Sequence, residues 1–366
     1  MKTFECWQKR FDQNDLRDFS LVPEALLWLK LRSIDRKDLL SQYCDRIGIT
    51  YCRGVVVKIW EMLNEDPRVE ACLRDYMAEC QEKENVRIDS SFETIRSNLY
   101  KMNHFHWGGG SRNSLDKAIV TRYVKTDEII PYDRLSMICE GELLDMSRGY
   151  LYNSWYNYWS SVLIENVFRR NNDVMPAYGK IKNVDFFVKD FPFDLKVTYV
   201  PKEFSKLVRK EQGMDDPLKK LRRYAKSKKM VFDSSADDES QQYEISEKIK
   251  DSGNSSGLEL LAEIRDDWRK IVNIVVSDKH RLITWLYENQ GEMRFGAENR
   301  IFLVMVDRND PAEAWKLKRN IDLIRPCVSK WISTFKSDRA EDLRLKFSYK
   351  SKTYDTFADA IFVMKD

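Results

Sequence analysis

The chain has no apolar run approaching the roughly 18 residues that a membrane-crossing helix needs. Met1-Lys2-Thr3-Phe4-Glu5-Cys6 leads into no signal-peptide core. The expectation is a cytoplasmic protein with no membrane partner. None of the seven cysteines (6, 44, 52, 72, 80, 139, 327) stands in the paired C-x2-C spacing of a zinc site or redox motif. Cys72 and Cys80 are eight apart, on one helix face but two turns from each other, too far for a disulfide. Reduced, mostly buried thiols are expected. Strong charge of one sign is also missing, since 62 Lys+Arg against 59 Asp+Glu leave only +3. That balance excludes a polybasic protein gripping nucleic acid over its whole surface, yet it is compatible with a local basic face. His104-Phe105-His106-Trp107-Gly108-Gly109-Gly110-Ser111-Arg112 lacks further metal ligands at a suitable spacing, and its glycines lack the Lys-Ser/Thr of a P-loop. It reads as a turn or hinge whose aromatics and Arg112 could touch a nucleic acid.

What is present is enough for a sizeable core: 366 residues, 43% hydrophobic, with ten Trp. At roughly 100–200 residues per domain, two domains are expected. Residues 1–145 read as a mainly helical domain, with apolar periodicity near 24–31, 36–47, 53–64, 68–83 and 90–102. Within it, residues 38–63 resemble a helix-turn-helix. Gly48 is flanked by Ile47 and Ile49, Cys44 lies four positions earlier, and Val55, Val56 and Ile59 follow on a second helix. This is a candidate for DNA recognition, although many glycine-turned helical hairpins bind none. Residues 146–366 form the second expected domain, with a basic and flexible insertion at about 202–257.

That insertion is strongly polarised. Residues 202–229 hold eleven Lys/Arg against four acids, whereas residues 233–257 hold seven acids and two lysines among many polar residues. The first part reads as a partly helical basic patch after Pro217. The second has the composition of a flexible loop. Lys219, Lys220, Arg222 and Arg223 are the phosphate-contact candidates, with a merely solvated face as the plainer account.

The segment with most chemical content runs from Gly179 to Pro201. Residues 184–188 form an apolar strand, 189–192 a turn and 193–200 a second strand. In the second strand Phe193, Leu195, Val197 and Tyr199 point one way, and Asp194, Lys196 and Thr198 the other. A hairpin of this length can bring Asp185 alongside Asp194 and Lys196. Two carboxylates and an ammonium on an apolar hairpin are costly to desolvate unless something binds there. A divalent cation relieves the like-charge repulsion, and oxygen-only ligands suit Mg²⁺, with Mn²⁺ as an alternative. Such a site can polarise a phosphodiester and activate water, with Lys196 orienting that water or balancing developing charge. A surface hairpin with an ordinary Asp–Lys pair is the bland alternative. It leaves an acid inside the run Val184-Asp185-Phe186-Phe187-Val188 without a structural purpose, while Asp190 in the turn is read as solvated.

The pattern resembles the PD-(D/E)xK nuclease superfamily, in its type II restriction-endonuclease-like branch. Asp185 stands at the first acid and Asp194-Leu195-Lys196 at the (D/E)-x-K element, with eight residues between the two acids. Valine rather than proline precedes Asp185. The resemblance implies an α/β (α+β) core after the helical N-terminal region, with a mixed central β-sheet flanked by helices. The core of that family opens with a helix that often supplies another acid. Here residues 155–170 carry the stripe Trp155, Trp159, Val162, Leu163 and Val167, with Glu165 at its edge as the implied third acid. A helix at 281–289, an apolar strand at 301–306, helix at 311–335 and strands at 343–349 and 358–364 would complete a resemblance covering about residues 150–366.

The resemblance therefore implies a Mg²⁺-dependent endonuclease hydrolysing DNA phosphodiester bonds, a restriction-type enzyme on double-stranded DNA working as a homodimer. Asp185, Asp194, Glu165 and Lys196 would be catalytic, the three acids also holding metal. Asp194→Ala or Lys196→Ala should then abolish cleavage and leave the fold largely intact. Two other readings stand beside it: a DNA-binding regulator with an inactive nuclease-like fold, and a nuclease acting on RNA or single strands.

Overall fold

The computed structural model describes residues 2–13, 17–103, 115, 119–126, 129–178, 181, 184–289, 299–336, 341–349 and 352–366. The His-rich and glycine-rich segment 104–112 lies outside them. The chain divides into two units, one of residues 1–81 and 169–366 and the other of residues 82–168. The boundary read from the sequence falls instead at 145/146.

Mixed α/β architecture with a helical N-terminal region is what the first unit shows. Its N-terminal part contains α1 (Phe4–Asp12), α2 (Pro23–Ser33), α3 (Lys37–Arg46), α4 (Val55–Glu65) and the start of α5 (Pro67–Tyr100). Trp7, Phe19, Trp28, Tyr43 and Tyr76 pack into one aromatic core there. Gly48 ends α3 in the left-handed region, at φ 72°, and Ile49 N–H closes back on Cys44 O at 3.0 Å. The connection from α3 to α4 takes residues 47–54, longer than the three or four residues of a helix-turn-helix. Ile47 and Ile49 explain the length, because both pack into the aromatic core and draw the chain inward before α4 starts. All seven cysteines are free thiols, but only Cys44 is buried, which corrects the expectation of mostly buried thiols.

Among the described residues six strands form one sheet in the order β1-β2-β3-β4-β6-β5. They are β1 (Val174–Pro176), β2 (Phe186–Val188), β3 (Phe191–Tyr199), β4 (Arg300–Asp307), β5 (Arg344–Tyr349) and β6 (Lys352–Lys365). The pairs β1–β2, β2–β3 and β5–β6 are antiparallel, whereas β3–β4 and β4–β6 are parallel. Strand β4, Arg-Ile-Phe-Leu-Val-Met-Val-Asp, is buried along its whole length, as a parallel strand covered on both faces must be. Phe302, Val304 and Val306 face α8 (Lys202–Glu211), α11 (Ser255–Ser277) and α12 (Lys279–Asn289) through Phe204, Trp268, Ile271, Leu286 and Tyr287. Across the sheet, Phe193 of β3 meets Trp331 and Phe335 at the end of α13 (Ile321–Thr334) at ring distances of 5.7 and 5.6 Å. Phe187 of β2 joins the N-terminal aromatic core, so these helices cap the β1–β2 end of the sheet.

The segment read as a flexible loop is mostly helical: α9 (Pro217–Ser227) is followed by α10 (Asp238–Ser252) and then by α11. Asp237 caps α10 by accepting the N–H groups of Glu239 and Ser240, each at 3.0 Å. Ile245 and Ile249, one turn apart, seal it against Leu218 and Leu221 of α9. A sparse apolar stripe in polar surroundings was enough, because only one face has to be buried. Gly257 opens α11 at a close approach, where a Cβ would lie 2.6 Å from Tyr224 Oη and 2.7 Å from Ile249 Cγ2.

The second unit contains the rest of α5, a π-helical turn at Val120–Val124, α6 (Tyr132–Glu140) and most of α7 (Glu142–Arg169). Tyr123 Oη donates to Glu142 Oε2 at 3.0 Å within it. Among the described residues no helix is long and apolar enough to cross a membrane.

Candidate active site

The β2–β3 hairpin closes on two residues, Lys189 and Asp190, both at positive φ (46° and 68°), the geometry that matches strand twist in a tight hairpin. Asp190 is more than solvated, since its Oδ1 accepts Lys30 Nζ of α2 at 2.5 Å. The pairing Phe186↔Phe193 fixes the register and sets Asp185 at the level of Asp194. Asp185 N–H donates to Phe193 O at 2.8 Å, and its Oδ2 accepts Leu195 N–H at 2.7 Å. The first acid is therefore clasped to the backbone of the D-x-K element itself.

Asp194 and Lys196 share one strand face, and Lys196 Nζ donates to Asp194 Oδ1 at 2.8 Å. Asp194 is buried, 4% exposed, whereas the Lys196 side chain is 48% exposed. The lysine thus carries the charge of the site to solvent. On the neighbouring strand, Arg300 is the register partner of Asp194, and its Nε donates to Asp194 Oδ2 at 2.9 Å. Asn299 locks the same level. Its Nδ2 donates to Pro192 O at 3.0 Å and to Ser20 Oγ at 2.5 Å, and its backbone O accepts Asp194 N–H at 2.9 Å. Arg300 and Asn299 were missed in the sequence. The one local sign was an arginine heading an otherwise apolar strand run, and nothing local says that it faces Asp194.

Burial pushes the Asp185 carboxyl above the usual carboxylate range, and the nearby Asp194 charge pushes it the same way. The Leu195 N–H, Lys196 and Arg169 oppose that rise. The two acids that repel each other share the site with Lys196 and Arg300, which engage the two oxygens of Asp194.

Among the described residues no three His, Cys, Asp or Glu side chains form a group that could hold a metal ion. Glu165 lies half-buried on α7, within the unit of residues 82–168. Asp185 and Asp194 stand as a pair. Two carboxylates with no nitrogen or sulfur donor still fit Mg²⁺, which commonly keeps several waters and completes its shell with substrate phosphate.

The four basic candidates of α9 are all engaged within the fold. Lys220 Nζ bridges Glu263 at 2.7 Å and Asp267 at 2.8 Å, with its side chain only 13% exposed. Arg222 pairs with Asp238 at 3.0 Å, and Lys219 and Arg223 both reach Asp215, at 3.6 and 3.4 Å. Lys226, Lys228 and Lys229, at the end of the same helix, are exposed. A groove of about 600 Å³ lined by Arg222, Lys226, Lys229, Phe232 and Ser234 lies beside them. Comparison with protein-family models, with curated proteins and with solved structures finds no match to this chain.

Proposed function

We propose that this chain is a Mg²⁺-dependent endonuclease that hydrolyses phosphodiester bonds of double-stranded DNA, in the manner of a restriction enzyme. The observation that carries the reading is the clasp of Asp185 onto Leu195 N–H beside the Asp194–Lys196 pair. It places two carboxylates and a half-exposed ammonium together on a hairpin of fixed register. The sheet supports the reading too: an antiparallel β1-β2-β3 run, then a helical crossover from β3 to a parallel β4.

Asp185 and Asp194 would hold the ion. When bound, Mg²⁺ polarises the scissile phosphate and lowers the pKa of a coordinated water. Lys196 has the reach and the exposure to orient the attacking water and to offset charge as it builds on phosphorus. Lys226, Lys228 and Lys229 supply non-specific attraction to the phosphate backbone. A homodimer, one protomer per strand, accounts for a double-strand break, and free thiols suit a cytoplasmic setting.

Incubating the purified chain with duplex DNA, single-stranded DNA and RNA, each with Mg²⁺ or EDTA, tests the reading. Mg²⁺-dependent cuts in the duplex are expected. Intact duplex under every metal condition overturns it, and cleavage confined to RNA or single strands corrects its substrate.

A further inference from the structure

The turn that fixes the hairpin register is built from residues that do not favour it. A two-residue hairpin turn with both φ values positive is usually Asn-Gly or Asp-Gly, whereas here Lys189 and Asp190 sit at φ 46° and 68°. A lysine in the left-handed region is sterically strained, and such a conformation persists only where its surroundings hold it. The ladder behind the turn is short, because β2 is three residues long. A slip of one residue would take Asp185 from the level of Asp194 and turn its side chain to the other face of the sheet.

Both turn residues are held from outside the hairpin. Lys189 Nζ donates to Phe335 O at 2.7 Å and stands 3.7 Å from Asp173 Oδ2, while its backbone N–H donates to Asp173 O at 2.7 Å. Asp190 is held by Lys30 of α2, 160 residues earlier in the chain, whose Nζ donates to its Oδ1 at 2.5 Å. The Lys30 side chain is only 11% exposed. A lysine buried to that degree is costly unless an anion meets its ammonium, and the anion that meets it is Asp190. Its neighbours Trp28, Leu29 and Leu31 are apolar core residues, so packing alone would be served by an apolar side chain. A second strut comes from Ser20, just before α2, whose Oγ accepts Asn299 Nδ2 at 2.5 Å. Asn299 O in turn accepts the Asp194 N–H at 2.9 Å. The N-terminal part of the chain therefore reaches the hairpin at its turn and at the level of its acids.

We propose that Lys30 is a positioning residue for the hydrolytic site, acting through Asp190. It keeps the strained turn closed, and the closed turn keeps the register that sets Asp185 beside Asp194 and Lys196. The proposal rests on the nuclease reading above and adds to it that the N-terminal helices are part of the frame of the site.

The test uses the full chain carrying K30M, in which methionine fills the space of the lysine stem, and the triple variant K30M/K189N/D190G, whose Asn-Gly turn closes a two-residue hairpin without help. Amide hydrogen exchange at Asp185 and Leu195, the two N–H groups that bond across the hairpin, is measured without metal or DNA. Exchange there is expected to be about tenfold faster in K30M than in wild type, and close to wild type in the triple variant. Cleavage of duplex DNA with Mg²⁺ reads the consequence. In K30M kcat is expected to fall by about 10- to 100-fold with KM nearly unchanged, and to recover in the triple variant. Recovery separates positioning from general damage to the fold, which a better turn would not repair. K30M with either exchange or kcat as in wild type overturns the proposal, as does a triple variant no better than K30M. If K30M does not fold, D190A at the exposed turn decides: it must loosen the hairpin and slow cleavage while K189N/D190G does neither, and a D190A protein like wild type overturns the proposal. Failure of the nuclease reading itself looks different, with no Mg²⁺-dependent cleavage by the wild type while exchange still reports whether Lys30 holds the hairpin.

Discussion

The carboxylate of Asp185 accepts the backbone N–H of Leu195 at 2.7 Å, across a hairpin whose turn is only two residues long. A side chain is thereby tied to the main chain of the strand that carries Asp194 and Lys196. The contact favours the ionised acid, yet burial and the Asp194 charge outweigh it and raise the Asp185 carboxyl above its ordinary value. A raised carboxyl means that the fold prefers the protonated form. The stability linked to it is present below the unfolded carboxylate pKa and is lost as pH rises through the folded one.

Asp185→Asn should consequently stabilise the protein while removing metal-dependent cleavage. The amide oxygen can still accept the Leu195 N–H, and the buried charge is gone. Thermal unfolding at about pH 8 should show a melting temperature raised by about 2–4 °C, and the gain should be smaller at about pH 4, because protonation of the raised Asp185 carboxyl removes the buried charge from the wild type. A variant less stable than wild type at both pH values would contradict this account.

Asp194 and Lys196 should part company in their effect on stability, although the sequence groups them as equals. Lys196→Ala removes a half-exposed ammonium, so cleavage should vanish with the melting temperature nearly unchanged. Asp194→Ala removes the carboxylate that meets the buried Arg300 guanidinium, at a cost of roughly 3–5 kcal/mol. Urea unfolding of both variants, alongside plasmid cleavage, separates the two roles. An Asp194→Ala protein as stable as wild type argues against a buried ion pair.

The basic helix α9 should likewise split into structural and DNA-facing lysines. Lys220→Ala loses hydrogen bonds to Glu263 and Asp267 and should destabilise the fold by roughly 2–3 kcal/mol. Neutralising Lys226, Lys228 and Lys229 should leave stability unchanged and weaken binding for all duplex sequences. Each lost phosphate contact lowers the salt dependence by about one unit of slope. A salt slope unmoved by the triple variant would reduce these lysines to a solvated helix end.

Gly257→Ala tests the packing of α9, α10 and α11 directly. The added methyl meets Ile249 Cγ2 and Tyr224 Oη below 3 Å, so something must shift. A loss of about 1–3 kcal/mol is expected on denaturant unfolding. A variant of unchanged stability would show that the three helices give way freely.

Local pattern made some of this fold legible. The alternation of residues 193–199 and the turn before them located β3, its two faces and the Asp194–Lys196 pair, because a strand's two-residue period is written in its own residues. The unbroken apolar run at 301–306 marked the central strand for the same reason. Helix α10 escaped notice because Ile245 and Ile249 are few among acids and serines, and only their burial against α9 shows that they are a core face.

What the sequence determined by itself was the hairpin and the chemical character of Asp185, Asp194 and Lys196, since these depend on neighbours along the chain. What the tertiary structure alone decided was the company they keep. Arg300 meets Asp194 across 106 residues of chain because the parallel register of β3 and β4 sets them opposite. The N-terminal helices share their core with Phe187 because the β1–β2 end of the sheet needs an apolar cover. Lys220 turns inward because Asp267 of α11 is buried beside it. Strand pairing and the need to cover apolar surface act between segments far apart in the chain, and no local spacing records which residues they will bring face to face.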